Sequence, residues 1–92
     1  MTDILTRALA PSDQAIESAV GEETVLLHLE NGTYYGLDPV GTRIWALLKD
    51  GLGPLAIRDV LVAEYGVAAE VIEADLRKFL TDLHDQSIVT DA

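Results

Sequence analysis

Apolar and polar positions along the chain first follow a strand rhythm and then a helical one. Ala15–Val20 and Thr24–Glu30 ("TVLLHLE") are β-branched and apolar enough for two strands, with Gly21-Glu22-Glu23 as the turn between them. Asn31-Gly32 follows. Both residues tolerate the positive φ of a type I′ turn, so a tight two-residue hairpin is predicted. That turn sets Glu30 opposite Thr33, Leu29 opposite Tyr34, His28 opposite Tyr35 and Leu27 opposite Gly36. Alternation then places Val25, Leu27 and Leu29 on one face with Tyr34, and Leu26, His28 and Glu30 on the other with Tyr35. The first set is the better core face, although Leu26 and Leu37 spoil a clean split. Tyr34 is therefore expected to pack inward, and Tyr35 and His28 to lie on the outer surface.

After Leu37 the period becomes helical. Asp38 reads as an N-cap and Pro39 as the first helical residue. Val40, Ile44, Leu47 and Leu48 form one apolar stripe, with Trp45 beside it and expected in the core. Lys49 suits the negative helix end, and Gly51 and Gly53-Pro54 stop the helix. A second helix is predicted from about Leu55 to Tyr65, with Ile57, Val60, Leu61 and Tyr65 facing in and Gly66 closing it. A third spans about Ala69–Asp85, apolar at Ile72, Leu76, Phe79, Leu80 and Leu83. Ser87–Thr90 is expected either as a short closing strand or as a tail folded back by Ile88 and Val89. Residues 1–13 read as an N-terminal arm, with a short extended piece at Ile4–Leu9, and 14–92 as the domain. A small antiparallel three-stranded sheet followed by three helices is an α+β fold. Helices two and three, joined around Gly66, suggest a helix-turn-helix, and the strands beside them suggest a winged helix-turn-helix.

Composition narrows the function. Ninety-two residues, 49% of them hydrophobic, make one core. The absence of cysteine excludes disulfides, thiol catalysis and Cys-type zinc sites. No apolar run approaches the ~20 residues of a membrane span. "MTDILTRALAPSD" lacks the basic start and long apolar stretch of a signal peptide, so a cytoplasmic location is expected. Six basic and sixteen acidic residues leave a net charge of −10. Such a chain is repelled by nucleic-acid phosphates and by anionic lipid, and suits protein or peptide partners. His28 and His84 stand far apart with no metal-ligand spacing, and His84 is expected to face solvent. No nucleophile elbow or phosphate-cradling glycine loop is present. Glu70, Glu73 and Asp75 read as a solvated helix face. No catalytic residue, metal or cofactor is expected, and an enzyme acting alone is not.

The segment "LENGTYYGLDPVGTRIWALL" resembles the PqqD-like family, through the hairpin, Tyr34-Tyr35, Leu37-Asp38, Gly41, Ile44-Trp45 and Leu48. The later pattern of Leu61, Tyr65, Val67, Asp75, Leu76, Phe79, Leu80 and Leu83 is similar too. Ser87 stands where the family often has glycine. The resemblance covers about Thr24–Val89. It implies a RiPP recognition element, a domain that holds the leader of a ribosomally made, later modified peptide. The Tyr-Tyr form looks most like the standalone recognition proteins of lasso-peptide biosynthesis. Those present the precursor peptide to a leader protease of transglutaminase-like type, after which an ATP-dependent macrolactam synthetase closes the ring. The alternatives are a partner of a radical-SAM peptide-modifying enzyme and a winged-helix transcription regulator. Charge disfavours the regulator: on the third helix Arg77 and Lys78 face Glu70, Glu73, Asp75, Asp82 and Asp85.

If the sheet order is sequential, Thr33–Leu37 is an edge strand with unpaired backbone groups. The resemblance implies that the leader lies between that strand and the third helix and adds as one more antiparallel strand. The expected leader-binding residues are Thr33, Tyr34, Tyr35, Gly36 and Leu37 on the strand. On the helix they are Val71, Ala74, Asp75, Lys78 and Asp82, spaced three or four apart. Val71 and Ala74 would take an apolar anchor, Asp75 and Asp82 a basic leader residue, and Lys78 an acid. Asp75 reads equally well as a surface or cap-bonding residue, and Tyr35 as a cross-strand neighbour of His28.

Overall fold

The computed structural model describes residues 3–92. A 3-10 turn at Ile4–Thr6 leads into strands β1 (Leu9–Pro11), β2 (Ala15–Val20), β3 (Glu23–His28) and β4 (Tyr34–Leu37). Helices α1 (Pro39–Lys49), α2 (Pro54–Tyr65) and α3 (Ala69–Asp85) follow, and β5 (Val89–Asp91) closes the order. The fold is α+β: β2, β3 and β4 form an antiparallel sheet in sequential order, and β1 pairs with β5 as a separate antiparallel ribbon. Leu26 and Leu37 of the sheet meet Ile44, Trp45 and Leu48 of α1, Ile57 and Leu61 of α2, and Ile72, Leu76, Leu80 and Leu83 of α3 in one core.

The helix ends follow their sequence signals. The Asp38 carboxylate accepts the Gly41 N–H at 2.6 Å, which caps α1, and Pro39 opens it. Gly66 closes α2 in the left-handed region at φ 62°, where glycine carries no Cβ penalty. At the end of α3 the Ile88 N–H donates to the Leu83 carbonyl (2.9 Å) and the Ser87 N–H to the His84 carbonyl (3.0 Å). That bonding is a Schellman motif, and Ser87 occupies its left-handed position at φ 59°. Ile88 and Leu83, the positions that flank this motif, are both fully buried in the core.

Four expectations are corrected. Residues 3–13 are no loose arm: Leu5 and Leu9 are buried in the core. Arg77 donates to Asp3 (2.8 Å), and Arg7 to Asp91 (2.6 Å). Second, the hairpin is not the two-residue turn. Leu27 lies opposite Tyr34, Leu26 opposite Tyr35, Val25 opposite Gly36 and Thr24 opposite Leu37, a slip of two residues. Gly32 has positive φ, but Asn31 does not, so the type I′ geometry fails. The longer loop is held by side chains instead. Nδ1 of His28 accepts the Glu30 and Asn31 N–H groups at 3.3 Å each, and Asn31 Oδ1 accepts the Thr33 N–H at 2.9 Å.

Third, a slip of two keeps the side-chain pairing of each face but not the assignment of inside and outside. Leu26 (0% exposed), His28 (5%) and Leu37 face the helices with half-buried Tyr35, whereas Tyr34 is 74% exposed. The expected surface histidine is thus a buried loop-bonding residue, and the expected core tyrosine is outside. Leu37 decides this. It immediately precedes the α1 cap and must point into the core, and Tyr35 and Leu26 share its side of the sheet. Fourth, Tyr65 is 46% exposed, while His84 is half-buried with Nε2 3.2 Å from the Arg7 guanidinium.

Candidate peptide-binding groove

The position of β4 and the phase of its ladder define the site. The His28 N–H donates to the Thr33 carbonyl (2.8 Å), while the Leu29 N–H turns the other way to the Gln14 carbonyl (2.8 Å). Antiparallel alternation then directs the backbone groups of Tyr35 and Leu37 to β3 and those of Tyr34 and Gly36 outward. Among the described residues no strand pairs with that outer side. The open edge is therefore shorter than the sequence suggested. Thr33 has spent its carbonyl on His28 and its N–H on Asn31, and the Leu37 side chain is in the core.

Helix α3 lies across from this edge. Tyr35 reaches it from the inner face: its ring meets Phe79 edge-on (centroids 6.1 Å, planes 73° apart), and its hydroxyl lies 3.5 Å from Asp82 Oδ2. Burial, then the negative charge of Asp82, pushes the Tyr35 phenol above its ordinary value, so it stays a neutral donor. Beside this contact a cleft of about 300 Å³ opens between the start of α1 and α3, lined by Asp38, Val40, Gly41, Ile44, Asp75 and Phe79. Its walls are apolar and its rim carries two carboxylates. Gly41 eases the close approach: a Cβ there would stand 3.2 Å from both the Phe79 ring and the Asp38 carboxylate, and one of them would have to give. A second, shallower depression on α3 is lined by Ala74, Arg77, Lys78, Thr81 and Asp82.

The residues expected from the sequence divide accordingly. Tyr34 and Gly36 supply the open backbone, and Tyr35 and Asp82 join strand to helix. Asp75 lines the cleft, Ala74 and Lys78 line the outer depression, and Val71 is exposed one turn before them. Val40, Gly41, Ile44 and Phe79 were read as helix or core positions, and their part in the cleft was missed. The available signal was a glycine in the first turn of a helix, where nothing local asks for one. Among the described residues no group of acidic or histidine side chains is arranged to hold a metal ion, and no helix is long and apolar enough to cross a membrane.

The family model for coenzyme PQQ synthesis protein D (PqqD) matches residues 23–89. The chain belongs to the PqqD family. This PqqD-family chain also matches solved structures. TbiB1 in complex with the TbiA(beta) leader peptide superimposes with a TM-score of 0.80 at 45% identity, over 87% of this chain and 93% of that one. Lasso peptide synthetase B1 complexed with the leader peptide does so with a TM-score of 0.81 at 23% identity, over 90% and 98%. At the second identity the likeness speaks for the fold alone. No curated protein sequence matches it.

Proposed function

We propose that this PqqD-family chain is a non-catalytic adaptor of lasso-peptide biosynthesis in the cytoplasm. It binds the leader of a precursor peptide by strand addition to β4 and presents the remainder to a transglutaminase-like leader protease and an ATP-dependent macrolactam synthetase. In this reading α2 and α3 are the helix pair of a winged helix-turn-helix whose wing, the β3–β4 hairpin, reads peptide rather than DNA. The observation that carries it is the unpaired edge of β4 beside a cleft that ends on α3. The 45% identity to a protein solved with a leader peptide supports the leader-binding reading.

Energetics assign separate roles to the strand and the cleft. Tyr34 and Gly36 offer an outward N–H and carbonyl each, and a backbone hydrogen bond contributes about 0.5–1.5 kcal/mol net. Ordering a disordered leader costs about 2–5 kcal/mol, so the ladder alone roughly breaks even. A micromolar complex needs about 8 kcal/mol. The balance must come from apolar anchors, each contributing about 1.5–3 kcal/mol on burial, in the Val40–Ile44–Phe79 cleft and against Val71 and Ala74. Asp75 and Asp82 favour a basic leader residue nearby, and Lys78 an acidic one. Amide shifts of isotope-labelled protein titrated with its cognate leader peptide should concentrate at 34–41 and 71–82. Shifts confined to other surfaces would refute the docking site, and peptide turnover by the isolated chain would refute the adaptor role.

A further inference from the structure

A strand added to β4 extends both faces of the sheet, and the groove reads only one of them. The outward backbone groups belong to Tyr34 and Gly36, so a leader residue that exchanges hydrogen bonds with either lies directly opposite it and shares its face. That face is the one away from the helices, because Leu37 and Tyr35 hold the inner side. The leader residues that form the ladder therefore point outward, and those between them point to Tyr35 and α3.

The outer face is built to meet those side chains. Across the strands Ile16, Leu27 and Tyr34 stand in one row, and Ser18, Val25 and Gly36 in the next. Leu27 and Val25 are half-buried, and Tyr34 ends its row 74% exposed at the open edge. A solvated sheet face ordinarily carries polar residues; beside this edge it carries two aliphatic side chains, a phenol and a glycine. Glycine within a strand weakens it, and often marks close approach by another group. Gly36 has no positive φ to explain its presence, and a Cβ there would meet nothing within 4 Å. The glycine leaves a notch over bare backbone, flanked along the strand by Tyr34 and across it by Val25.

We propose that this notch is a second leader subsite, which takes a large apolar side chain, and that Tyr34 is its specificity-determining residue. The inference rests on the adaptor reading above. A large side chain opposite Gly36 covers the bare backbone, as aromatic residues do for glycine at sheet edges, and it reaches Tyr34 as a diagonal neighbour. Because leader and β4 run antiparallel, it stands two positions before the leader residue opposite Tyr34. Tyrosine supplies a broad, rigid contact at little entropic cost. Val25, Leu27 and Tyr34, the nearest side chains on that face, offer a charged leader residue no partner.

The test uses the full chain and its cognate leader peptide. With isotope-labelled protein and unlabelled peptide, nuclear Overhauser contacts from the Tyr34 ring and the Val25 methyls should reach one large apolar leader side chain. Truncating that leader residue to alanine should weaken binding about three- to tenfold by fluorescence anisotropy. Tyr34→Ser should weaken the intact leader by a similar factor and make the truncation nearly silent, since the two changes remove one contact. Gly36→Val fills the notch, and should weaken the intact leader but not the truncated one. This second variant carries the test if Tyr34→Ser melts early by circular dichroism. Undiminished binding by both variants, additive losses from the two truncations, or Tyr34 contacts to a charged leader residue or to none overturn the subsite while leaving wild-type leader binding in place. A wild type that binds no leader overturns the subsite together with the adaptor reading.

Discussion

Replacing Gly36 with proline isolates the backbone contribution to peptide capture. The ladder phase directs the Gly36 N–H away from β3, so proline there removes no bond within the sheet. It removes one donor to an added strand and leaves the leader carbonyl opposite it unpartnered. An unsatisfied group of this kind costs about 1–3 kcal/mol, and 1.4 kcal/mol is tenfold, so affinity should fall about 5- to 150-fold. Gly36→Ala is the matched control. It keeps the N–H, and its Cβ would meet nothing within 4 Å, so binding should stay within about twofold of wild type. Tyr35→Pro is not equivalent. The Tyr35 N–H is bonded within the sheet opposite Leu26, so that change attacks the fold as well as the site. Fluorescence anisotropy of a labelled leader measures the affinities, and circular dichroism melts verify that both Gly36 variants remain folded. Equal binding by Gly36→Pro and Gly36→Ala would show that no strand is added at this edge.

Ser87→Gly should stabilise the protein. A left-handed L-residue costs about 1–2 kcal/mol, and the extra freedom of glycine in the unfolded chain returns about 0.5–1 kcal/mol. A net gain of about 0.5–1 kcal/mol raises the melting temperature by about 2–8 °C in a domain this size, and a lower melting temperature contradicts the strain assigned to φ 59°. Acidification should release the N-terminal segment before the helices. The Arg77 guanidinium holds the Asp3 carboxyl below its ordinary value of 3.8, and the Arg7 guanidinium does the same for Asp91. Carboxylates lowered in the folded state bind fewer protons there than when unfolded. Their contribution is therefore present above the ordinary carboxylate range and is lost as pH falls from about 4 through the lowered values. Amide protection factors at residues 4–12 should drop over that interval while those of α3 persist, and high salt at neutral pH should produce a milder version. Unchanged protection at 4–12 in acid would count against these pairs.

Local signals in the sequence carried the helices and the strand order. Asp38-Pro39 and Gly66 are end markers whose physics acts within one turn, and α3 spans Ala69–Asp85 as its apolar period required. The turn after β3 misled because Asn31-Gly32 was read through φ preference alone. The His28 ring supplies acceptors for the loop N–H groups, and a buried imidazole acting this way is invisible to turn statistics. The inverted faces have a different cause. Both sides of β3 are apolar, so alternation could not rank them; the position of Leu37 next to a capped helix could. The Val40–Ile44–Phe79 cleft was hidden because it depends on how closely α1 approaches α3, and Gly41 alone hinted at that. The pairing of β1 with β5 joins two short segments that carry no mutual mark.

That same pairing governs when the chain can finish folding. Arg7 and Asp91 are 84 positions apart, so joining them closes a loop that contains the sheet and all three helices. Closure entropy grows with loop length and is recovered only when the ribbon and the Leu5 and Leu9 contacts form together. The β2–β3–β4 hairpins and α1 draw on near neighbours and can assemble first. On the ribosome, Leu5 and Leu9 can pack on the helices as these emerge, but the ribbon that secures them waits for Asp91.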